Sequence, residues 1–443
     1  MEIKKETGEP QIKETESQAR ARVRTAGWAT IAGSMLEWYD FYLYATMASI
    51  VFGKVFFAAG DSQTATLKAV ATFAVGFMIR PFGGLFFGYF GDRFGRKKLL
   101  TITFFLMGIS TALIGFIPTY DKIGVWAPVL LIVVRMFQGL GAGAELAGAG
   151  VASYEHASPS HRGRQGAWPA LGLNLGLFFS SITVYLLTLR GDEFLLAGGW
   201  RIPFIGSLVL AFIGVWVRRN LPETPQYVAI RPEKKADLSV FRYVFRHHFK
   251  GLLVVFFVAV GYNGITYIVK TFSIAYLTEY QHMHGSQTSL AVMLASLLAI
   301  IVVPLFGRLC DYWSAKVVLV TGAVLMTVLA GPFMWLLETG EDYKVYYAMA
   351  LGIGLLSSLV QSTKGSFFSR QFPVEVRSTG VGVAQEVGTA LSGGLAPLGA
   401  LSLVAASPTH STLGVILILV GLAIIMGLTA LFDQGRHYIA HKN

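Results

Sequence analysis

Twelve apolar segments alternate with short polar stretches along the 443 residues of the chain. A helix needs about 20 residues to cross the hydrocarbon core of a bilayer, and each segment is close to that length. The pattern therefore predicts an all-α integral membrane protein with twelve transmembrane helices in two six-helix halves. The segments lie at 24–53, 66–91, 99–117, 127–153, 165–189, 200–217, 250–277, 287–309, 316–337, 345–369, 377–405 and 411–432.

The polar stretches divide the chain into two bundles, a linker and two tails. The first tail is rich in Lys and Glu and has no apolar run, so we expect a disordered tail rather than a signal peptide. Apolar positions between Leu238 and Phe249 recur at helical spacing, which fits a helix on the membrane surface or an ordinary solvated helix. The predicted parts are 1–23 (tail), 24–217 (first bundle), 218–249 (linker), 250–433 (second bundle) and 434–443 (tail).

A charged loop between the second and third segments returns in the second half. Gly307 and Asp311 repeat the spacing of Gly88 and Asp92, and the Pro-containing loops that end at Arg162 and Arg377 form a second matched pair. Two parallel halves joined by a long linker favour a transporter over a channel.

The composition supports a membrane protein, with 54% hydrophobic and 14% charged residues. The formal charge of +11 does not indicate nucleic-acid binding, because Lys and Arg cluster at the ends of apolar segments on one side. By the positive-inside rule, both termini and the linker are cytoplasmic. The single cysteine, Cys310, excludes an intrachain disulfide framework. No nucleotide loop, metal-ligand cluster or nucleophile arrangement is recognisable, so we expect neither an enzyme nor a cofactor.

Several motifs resemble the major facilitator superfamily. The loop that starts at Gly88-x-x-x-Asp92-Arg93-x-Gly95-Arg96 is similar to its signature loop, and Arg135-x-x-x-Gly139 is similar to its fourth-span motif. Four further runs resemble the metabolite–proton symporter branch of this superfamily: Glu37-Trp-Tyr-Asp40-Phe, Arg80-Pro-Phe-Gly-Gly, Pro222-Glu-Thr-Pro and Gly393-Gly-x-Ala-Pro.

The resemblance implies two pseudo-symmetric halves and proton-driven alternating access. The branch contains importers of α-ketoglutarate, citrate, shikimate and proline or betaine. The run around Glu145 departs from the branch pattern, and Lys270, Lys364 and Glu386 are charges that the pattern does not lead us to expect. These departures leave the substrate open.

Four acidic residues are candidates for proton coupling. Glu37 and Asp40 lie one helical turn apart, and two close carboxylates bind a proton more readily than they both ionise. The alternative is a pair that only hydrogen-bonds neighbouring helices. Glu145 is a second candidate, with gating or packing as the favoured role. Glu386 is either another proton site or a partner of Lys364.

Three cations are candidates for substrate binding, because charges inside membrane helices are costly and therefore functional by default. Arg135 either binds a substrate carboxylate or pairs with Glu37 or Asp40. The superfamily lines its cavity with spans one, four, seven and ten, which implies that Arg135, Lys270 and Lys364 converge on one chamber; Lys270 could instead extend to the outer surface. Neutral candidates for the same chamber are Tyr44, Gln138, Tyr262, Asn263, Tyr267 and Gln361.

A gate is the favoured role of the repeated loop. Asp92 can contact the positive end of the helix that begins at Arg377, and that contact would hold the halves together on the cytoplasmic side. The alternative is a simple anchor of positive charges. The gating candidates are Gly88, Asp92, Arg93, Gly95, Arg96, Asp311 and Arg377, and the gate is expected to be stronger beside the first half. For Arg80, a brace from span two to span eleven or four is favoured.

These observations predict a monomeric plasma-membrane symporter, of the bacterial inner membrane, that imports a small mono-, di- or tricarboxylate with protons. A zwitterionic osmolyte such as betaine or proline is the first alternative, with Trp38 or Tyr44 against its ammonium. Efflux of a drug-like or chelator molecule is the second. A receptor or scaffold is disfavoured because the tails are short. The expected partners are a small-molecule substrate, protons and lipid, with no nucleic acid and no metal.

Overall fold

The computed structural model describes residues 16–58, 60–94, 96–143, 148–220 and 238–433, with the backbone alone for some stretches such as 84–101. Every regular element within these ranges is a helix. This is the expected outcome for apolar segments in lipid, since a helix satisfies all of its own backbone hydrogen bonds.

Each predicted apolar segment overlaps one of twelve long helices, and several of these helices extend beyond the predicted ends. In the first half these are α1 Glu16–Met47, α2 Ser62–Phe94, α3 Arg96–Ile114, α4 Trp126–Gly143, α5 Arg162–Thr188 and α6 Arg201–Asn220. In the second half they are α7 Phe249–Glu279, α8 Gly285–Trp313, α9 Ala315–Glu338, α10 Asp342–Ser369, α11 Arg377–Ala406 and α12 Leu413–Leu431. Two short helices, Gly148–His156 after α4 and Leu238–His247 before α7, complete the set used below.

Within the described ranges, nine helices are long and apolar enough to span a membrane, or ten when the bent pair Asp192–Gly199 and Arg201–Trp216 counts as one span. The two others have identifiable polar content. The α1 helix carries Glu37 and Asp40, and α3 begins with three cations. In α3 the side chains are described from Ile102 onward, and Ile102–Ile114 is apolar. The helical fold class predicted from the sequence is confirmed.

The packing of the helices is the same in both halves. The α1–α5, α2–α4 and α3–α6 pairs of the first half correspond to α7–α11, α8–α10 and α9–α12 of the second. The main contacts between the halves, α5 with α8 and α2 with α11, are also equivalent under this correspondence. The repeat seen in the sequence is therefore a repeat in the structure.

Glycines allow α2 and α4 to approach closely, as small residues do in membrane helix interfaces. A Cβ atom added to Gly139 would overlap the carbonyl group of Gly76, and one added to Gly143 would overlap that of Arg80. This close packing holds the segment of α2 that carries Arg80 firmly against α4.

The end of α6 and the start of α7 define one side of the molecule, called here the linker side; the other is the opposite side. The linker helix Leu238–His247 buries Val244, whereas Tyr243 and Phe245 are exposed. Its predicted place on the membrane surface and the predicted domain boundaries stay predictions.

Candidate functional site

A cavity lies between the two halves and is lined by charged, aromatic and amide side chains. From the first half it receives Glu37, Trp38 and Arg80, and from the second half Tyr262, Asn263, Gln361, Lys364 and Glu386. The rest of its wall comes from α1, α5, α10, α11 and the short helix Gly148–His156, with both small and apolar side chains. The cavity is therefore made by both halves, so a solute in it would contact both.

Arg80 is the central charge of this cavity and links the halves. Its Nε lies 2.8 Å from Oε2 of Glu386 on α11, and its Nη2 lies 3.7 Å from Oε1 of Glu37 on α1. The rings of Trp38, Phe41 and Phe77 surround the guanidinium at 5.4–5.8 Å. Of the two braces considered for Arg80, the geometry is that of the brace to α11, and Glu386 is paired with Arg80 rather than with Lys364.

Lys364 is the other cation of the cavity. Its Nζ lies 5.6 Å from the centre of the Tyr262 ring, a cation–π contact. Among the described residues, no carboxylate lies within 4.0 Å of this ammonium group, whereas Arg80 is shared by two carboxylates. Lys364 is thus the cation of the cavity whose charge is least satisfied by the protein.

Arg135 does not line the cavity. It is fully buried inside the first half, with its guanidinium against Tyr44, Phe41 and Phe73. A hydrogen-bond chain runs from it to α1: Arg135 donates to Gln138, and the Gln138 amide donates to Thr111 at 2.7 Å.

Thr111 in turn donates to Oδ2 of Asp40 at 3.0 Å, and Oδ1 of Asp40 has no hydrogen-bond partner within the described part of the chain. We call Arg135, Gln138, Thr111 and Asp40 the first-half cluster. Glu37 and Asp40 thus face different surroundings: Glu37 borders the cavity beside Arg80, and Asp40 belongs to the first-half cluster.

Lys270 is also separated from the cavity. It is 1% exposed, and its Nζ donates to the Tyr42 hydroxyl at 3.0 Å. It therefore does not extend to the outer surface. The three cations expected to share one chamber occupy three places, because each points to a different neighbour of its helix.

The neutral candidates divide in the same way. Asn263 donates to Thr389 at 3.0 Å, and Gln361 accepts from Asn174 of α5 at 2.8 Å; both line the cavity together with Tyr262. The remaining three lie elsewhere: Tyr44 packs on Arg135, Gln138 belongs to the first-half cluster, and Tyr267 packs against Phe77.

Two contacts join the halves on the linker side. Oδ1 of Asp311 accepts from the Gly163 amide at 2.5 Å, and Oδ2 accepts from the Arg164 amide at 3.1 Å. Only glycine fits at position 163, since a Cβ atom there would lie 2.6 Å from Oδ1 of Asp311. The second contact is an ion pair of Arg377 with Glu155 at 2.9 Å. An acidic side chain of α8 thus binds the N-terminal backbone of α5.

Asp92 is the residue of the first half that corresponds to Asp311, and its side chain lies outside the described part of the structure. Gly95 and Glu145 lie outside the described residues, and for Gly88, Asp92, Arg93 and Arg96 only the backbone is described. The gating role, its expected strength beside the first half and the role of Glu145 therefore stay predictions.

On the opposite side, the Thr66 hydroxyl of α2 donates to Glu279 of α7 at 3.0 Å. Glu279, Thr66, Glu155 and Thr111 are contact residues that sequence reasoning did not single out. Glu155 had a signal, because it opens the Pro-containing loop that matches the one ending at Arg377. The others become visible only when the helices are packed. No cluster of metal-ligating side chains occurs among the described residues.

The chain is similar in both sequence and fold to known membrane transporters. A sequence profile described as Major Facilitator Superfamily matches residues 30–397. The Inner membrane metabolite transport protein YhjE of Escherichia coli (strain K12) is 36% identical over 376 residues, which cover 83% of this chain and 85% of that protein. The Shikimate transporter of the same organism is 33% identical over 388 residues, covering 87% and 88%.

A third relative is the Glycine betaine/proline/ectoine/pipecolic acid transporter OusA of Dickeya dadantii (strain 3937), 36% identical over 402 residues, which cover 87% of this chain and 78% of that protein. Among solved structures, a D-xylose-proton symporter superposes with a TM-score of 0.70 at 16% identity, covering 93% of this chain and 97% of the other. The structural likeness establishes the fold, and the sequence relatives establish a multi-pass membrane transporter rather than an enzyme.

Proposed function

The chain belongs to the major facilitator superfamily, and on that premise we propose that it carries a small solute with one carboxylate group across the membrane together with a proton. The observation that carries the proposal is Lys364, a cavity cation with no carboxylate of the described chain within 4.0 Å. A substrate carboxylate is the natural partner for it, because a charge in a low-dielectric site needs an opposite charge.

The charge count favours a monocarboxylate over di- and tricarboxylates. When all groups are ionised, Glu37 and Glu386 balance Arg80 and Lys364, so the described lining of the cavity is neutral. One substrate carboxylate makes it negative by one charge, and one proton bound elsewhere in the membrane-spanning part of the protein offsets that charge for the molecule as a whole. A second or third carboxylate would lack a cation, since Arg80 already binds two carboxylates. The coupling of one anion to one proton follows from this balance.

Asp40 is the residue to which we assign the proton. Its carboxylate is buried; among the described residues, one of its oxygens has no hydrogen-bond partner and no cation lies within 4.0 Å. Such a carboxylate is stabilised when it binds a proton. Glu37, on the same helix one turn earlier, borders Arg80, so α1 connects the proton site with the cavity. Glu37 and Glu386 are the alternative proton acceptors.

Alternating access would then depend on contacts that cross between the halves. Opening to the linker side requires loss of the Asp311 contact with Gly163 and of the Arg377–Glu155 pair. Opening to the opposite side requires loss of the Thr66–Glu279 bond. We further propose that the linker side is cytoplasmic, in agreement with its clustered Lys and Arg residues, and that one chain suffices for transport.

A zwitterion such as glycine betaine or proline is the second candidate. The cavity carries both signs of charge, with Trp38 and Glu37 on one wall and Lys364 on the other. An ammonium group could lie against the Trp38 ring and the carboxylate at Lys364. OusA, by its name, transports solutes of this kind.

Uptake into proteoliposomes with an imposed inward proton gradient tests the proposal. Labelled shikimate, proline, glycine betaine, succinate and citrate form the panel. We expect accumulation of a monocarboxylate that a protonophore abolishes. Shikimate accumulation supports the organic-acid form, and betaine or proline accumulation the zwitterion form. Accumulation of citrate alone, or accumulation that a protonophore leaves unchanged, would contradict the proposal.

Lys364→Gln tests the binding residue within the same assay. Loss of a charge-assisted hydrogen bond of about 1.5–3 kcal/mol should raise the KM roughly tenfold or more. Lys344→Gln is the matched control, because Lys344 lies on the same helix but is partly exposed and pairs with Glu341 at 2.8 Å outside the cavity. If wild type and Lys364→Gln have the same KM, Lys364 does not bind the substrate.

A further inference from the structure

Lys270 is a buried cation that the cavity described above does not use. It lies on α7 and is 1% exposed, and the Tyr42 hydroxyl at 3.0 Å is its hydrogen-bond partner. Within the described chain, no carboxylate lies within 4.0 Å of its ammonium group. Since a buried ammonium group without an anion is costly, this residue is retained at the expense of stability.

An aromatic layer separates Lys270 from the cavity. The Tyr42 ring lies 5.7 Å from the Trp38 ring, and the Tyr267 ring lies 4.9 Å from the Phe77 ring. Trp38 borders the cavity on one face of this layer, and Lys270 lies beyond Tyr42 on the other. The members of the layer are Trp38, Tyr42, Phe73, Phe77 and Tyr267.

The two lysines lie toward different sides of the membrane. The α7 helix runs from the linker side to the opposite side, and Lys270 is in its last third; α10 runs the other way, and Lys364 is in its last third. Lys270 therefore lies toward the opposite side and Lys364 toward the linker side, with the aromatic layer between them.

The local backbone and the partner of Lys270 both indicate a site that changes during transport. Lys270 is in a π-helical turn, Ile268–Phe272, and such turns are frequent at functional sites. Its partner Tyr42 is on α1 in the other half, so the bond joins the halves. When the halves separate on the opposite side, this bond is lost and the ammonium group faces the opening.

We propose that Lys270 is a second carboxylate-binding residue, which receives the substrate carboxylate when the opposite side is open, before the carboxylate passes the aromatic layer to Lys364. This inference rests on the proposed function, since it requires a substrate with a carboxylate. The Tyr42 hydroxyl accepts a hydrogen bond from the Lys270 ammonium group while the opposite side is closed, and this bond is lost when that side opens.

Initial rates from the two sides separate the two lysines. Membrane vesicles are prepared in both orientations, and an imposed proton gradient drives uptake of the probe. Trypsin cleavage in the linker identifies the vesicles whose linker side faces outward. The probe is labelled shikimate or labelled proline, whichever the wild type accumulates. Lys270→Gln should raise the KM from the opposite side roughly tenfold or more and leave the KM from the linker side within about twofold.

Two further variants control for structure. Lys270→Arg keeps a cation and should keep the KM from the opposite side within a few-fold of wild type. Tyr42→Phe removes the hydroxyl but keeps the ammonium group, so it should not raise that KM. If Lys270→Gln does not yield folded protein, Lys270→Arg with a wild-type KM and Tyr42→Phe with an unchanged or lower KM still support the inference.

The outcomes distinguish this inference from the proposed function. Wild-type vesicles that accumulate neither probe contradict the proposed function itself. Wild-type accumulation with an unchanged KM for Lys270→Gln from the opposite side overturns only the second binding residue. An equal rise of the KM from both sides would also overturn it, because it would make Lys270 part of the central site.

Discussion

Arg80 and Arg135 are buried arginines on two neighbouring helices, yet their surroundings differ in kind. Arg80 binds Glu37 of α1 and Glu386 of α11, so one of its two ion pairs, the one with Glu386, crosses between the halves. Arg135 is held by Gln138 and three aromatic rings inside the first half. In a transporter whose halves move against each other, the Arg80–Glu386 pair must break and re-form in each cycle, whereas the Arg80–Glu37 pair and the first-half cluster can persist. The same residue type thus serves two purposes according to whether its partners move with it.

Arg80→Gln is expected to have the largest effect. It leaves Glu37 and Glu386 without the cation between them, and breaking a buried ion pair costs about 3–5 kcal/mol. We expect a clear fall in the melting temperature of the purified protein and loss of transport. The double variant with Glu386→Gln should recover part of the stability, because it removes the carboxylate that lies closest to Arg80.

Arg135→Gln is the matched comparison. Among the described residues no carboxylate lies within 4.0 Å of Arg135, so its removal strands no anion. The expected cost is the lost cation–π contact, about 1–2 kcal/mol. If the two single variants lower the melting temperature equally, the distinction between the two arginines fails.

Asp40→Asn should affect coupling more than stability. An amide oxygen can still accept the Thr111 hydrogen bond, so we expect a stability change of about 1 kcal/mol or less. Without a titratable group, substrate exchange across the membrane should continue while accumulation against a gradient is lost. Counterflow and proton-driven uptake in the same proteoliposomes measure the two activities. If Asp40→Asn still accumulates substrate, the coupled proton binds to Glu37 or Glu386 instead of Asp40.

Helix positions were predictable from the sequence, and the directions of the buried charges were not. The apolar runs, the Lys and Arg clusters and the repeated Gly–Asp spacing predicted the helices and the duplication, because each is set by local composition. Lys364 lines the cavity, and its role there stays a prediction. Arg135 and Lys270 were expected there too, but membrane helices are apolar on most faces, so periodicity does not indicate which face meets the other half. That depends on packing such as the Gly76–Gly139 contact.

Asp311→Asn tests a bond between the halves that lies far from any buried charge cluster. Of the variants considered, this one is expected to have the smallest effect. Asp311 accepts from the Gly163 and Arg164 amides, and weakening these bonds should favour opening on the linker side. A loss of about 1.4 kcal/mol corresponds to roughly a tenfold larger open population, within the range for hydrogen bonds to charged groups. Cys310 is the single cysteine, is 6% exposed and precedes Asp311, so its rate of maleimide labelling reports the opening.

Thr66→Val is the matched variant on the opposite side, where it removes the bond to Glu279. It should favour opening there and therefore slow the labelling of Cys310, while Asp311→Asn accelerates it. Opposite changes would mean that the two contacts close alternate sides of one moving interface. If both variants accelerate labelling, the halves loosen rather than rock. The crossing bonds would then contribute to stability in the same way as those of the first-half cluster.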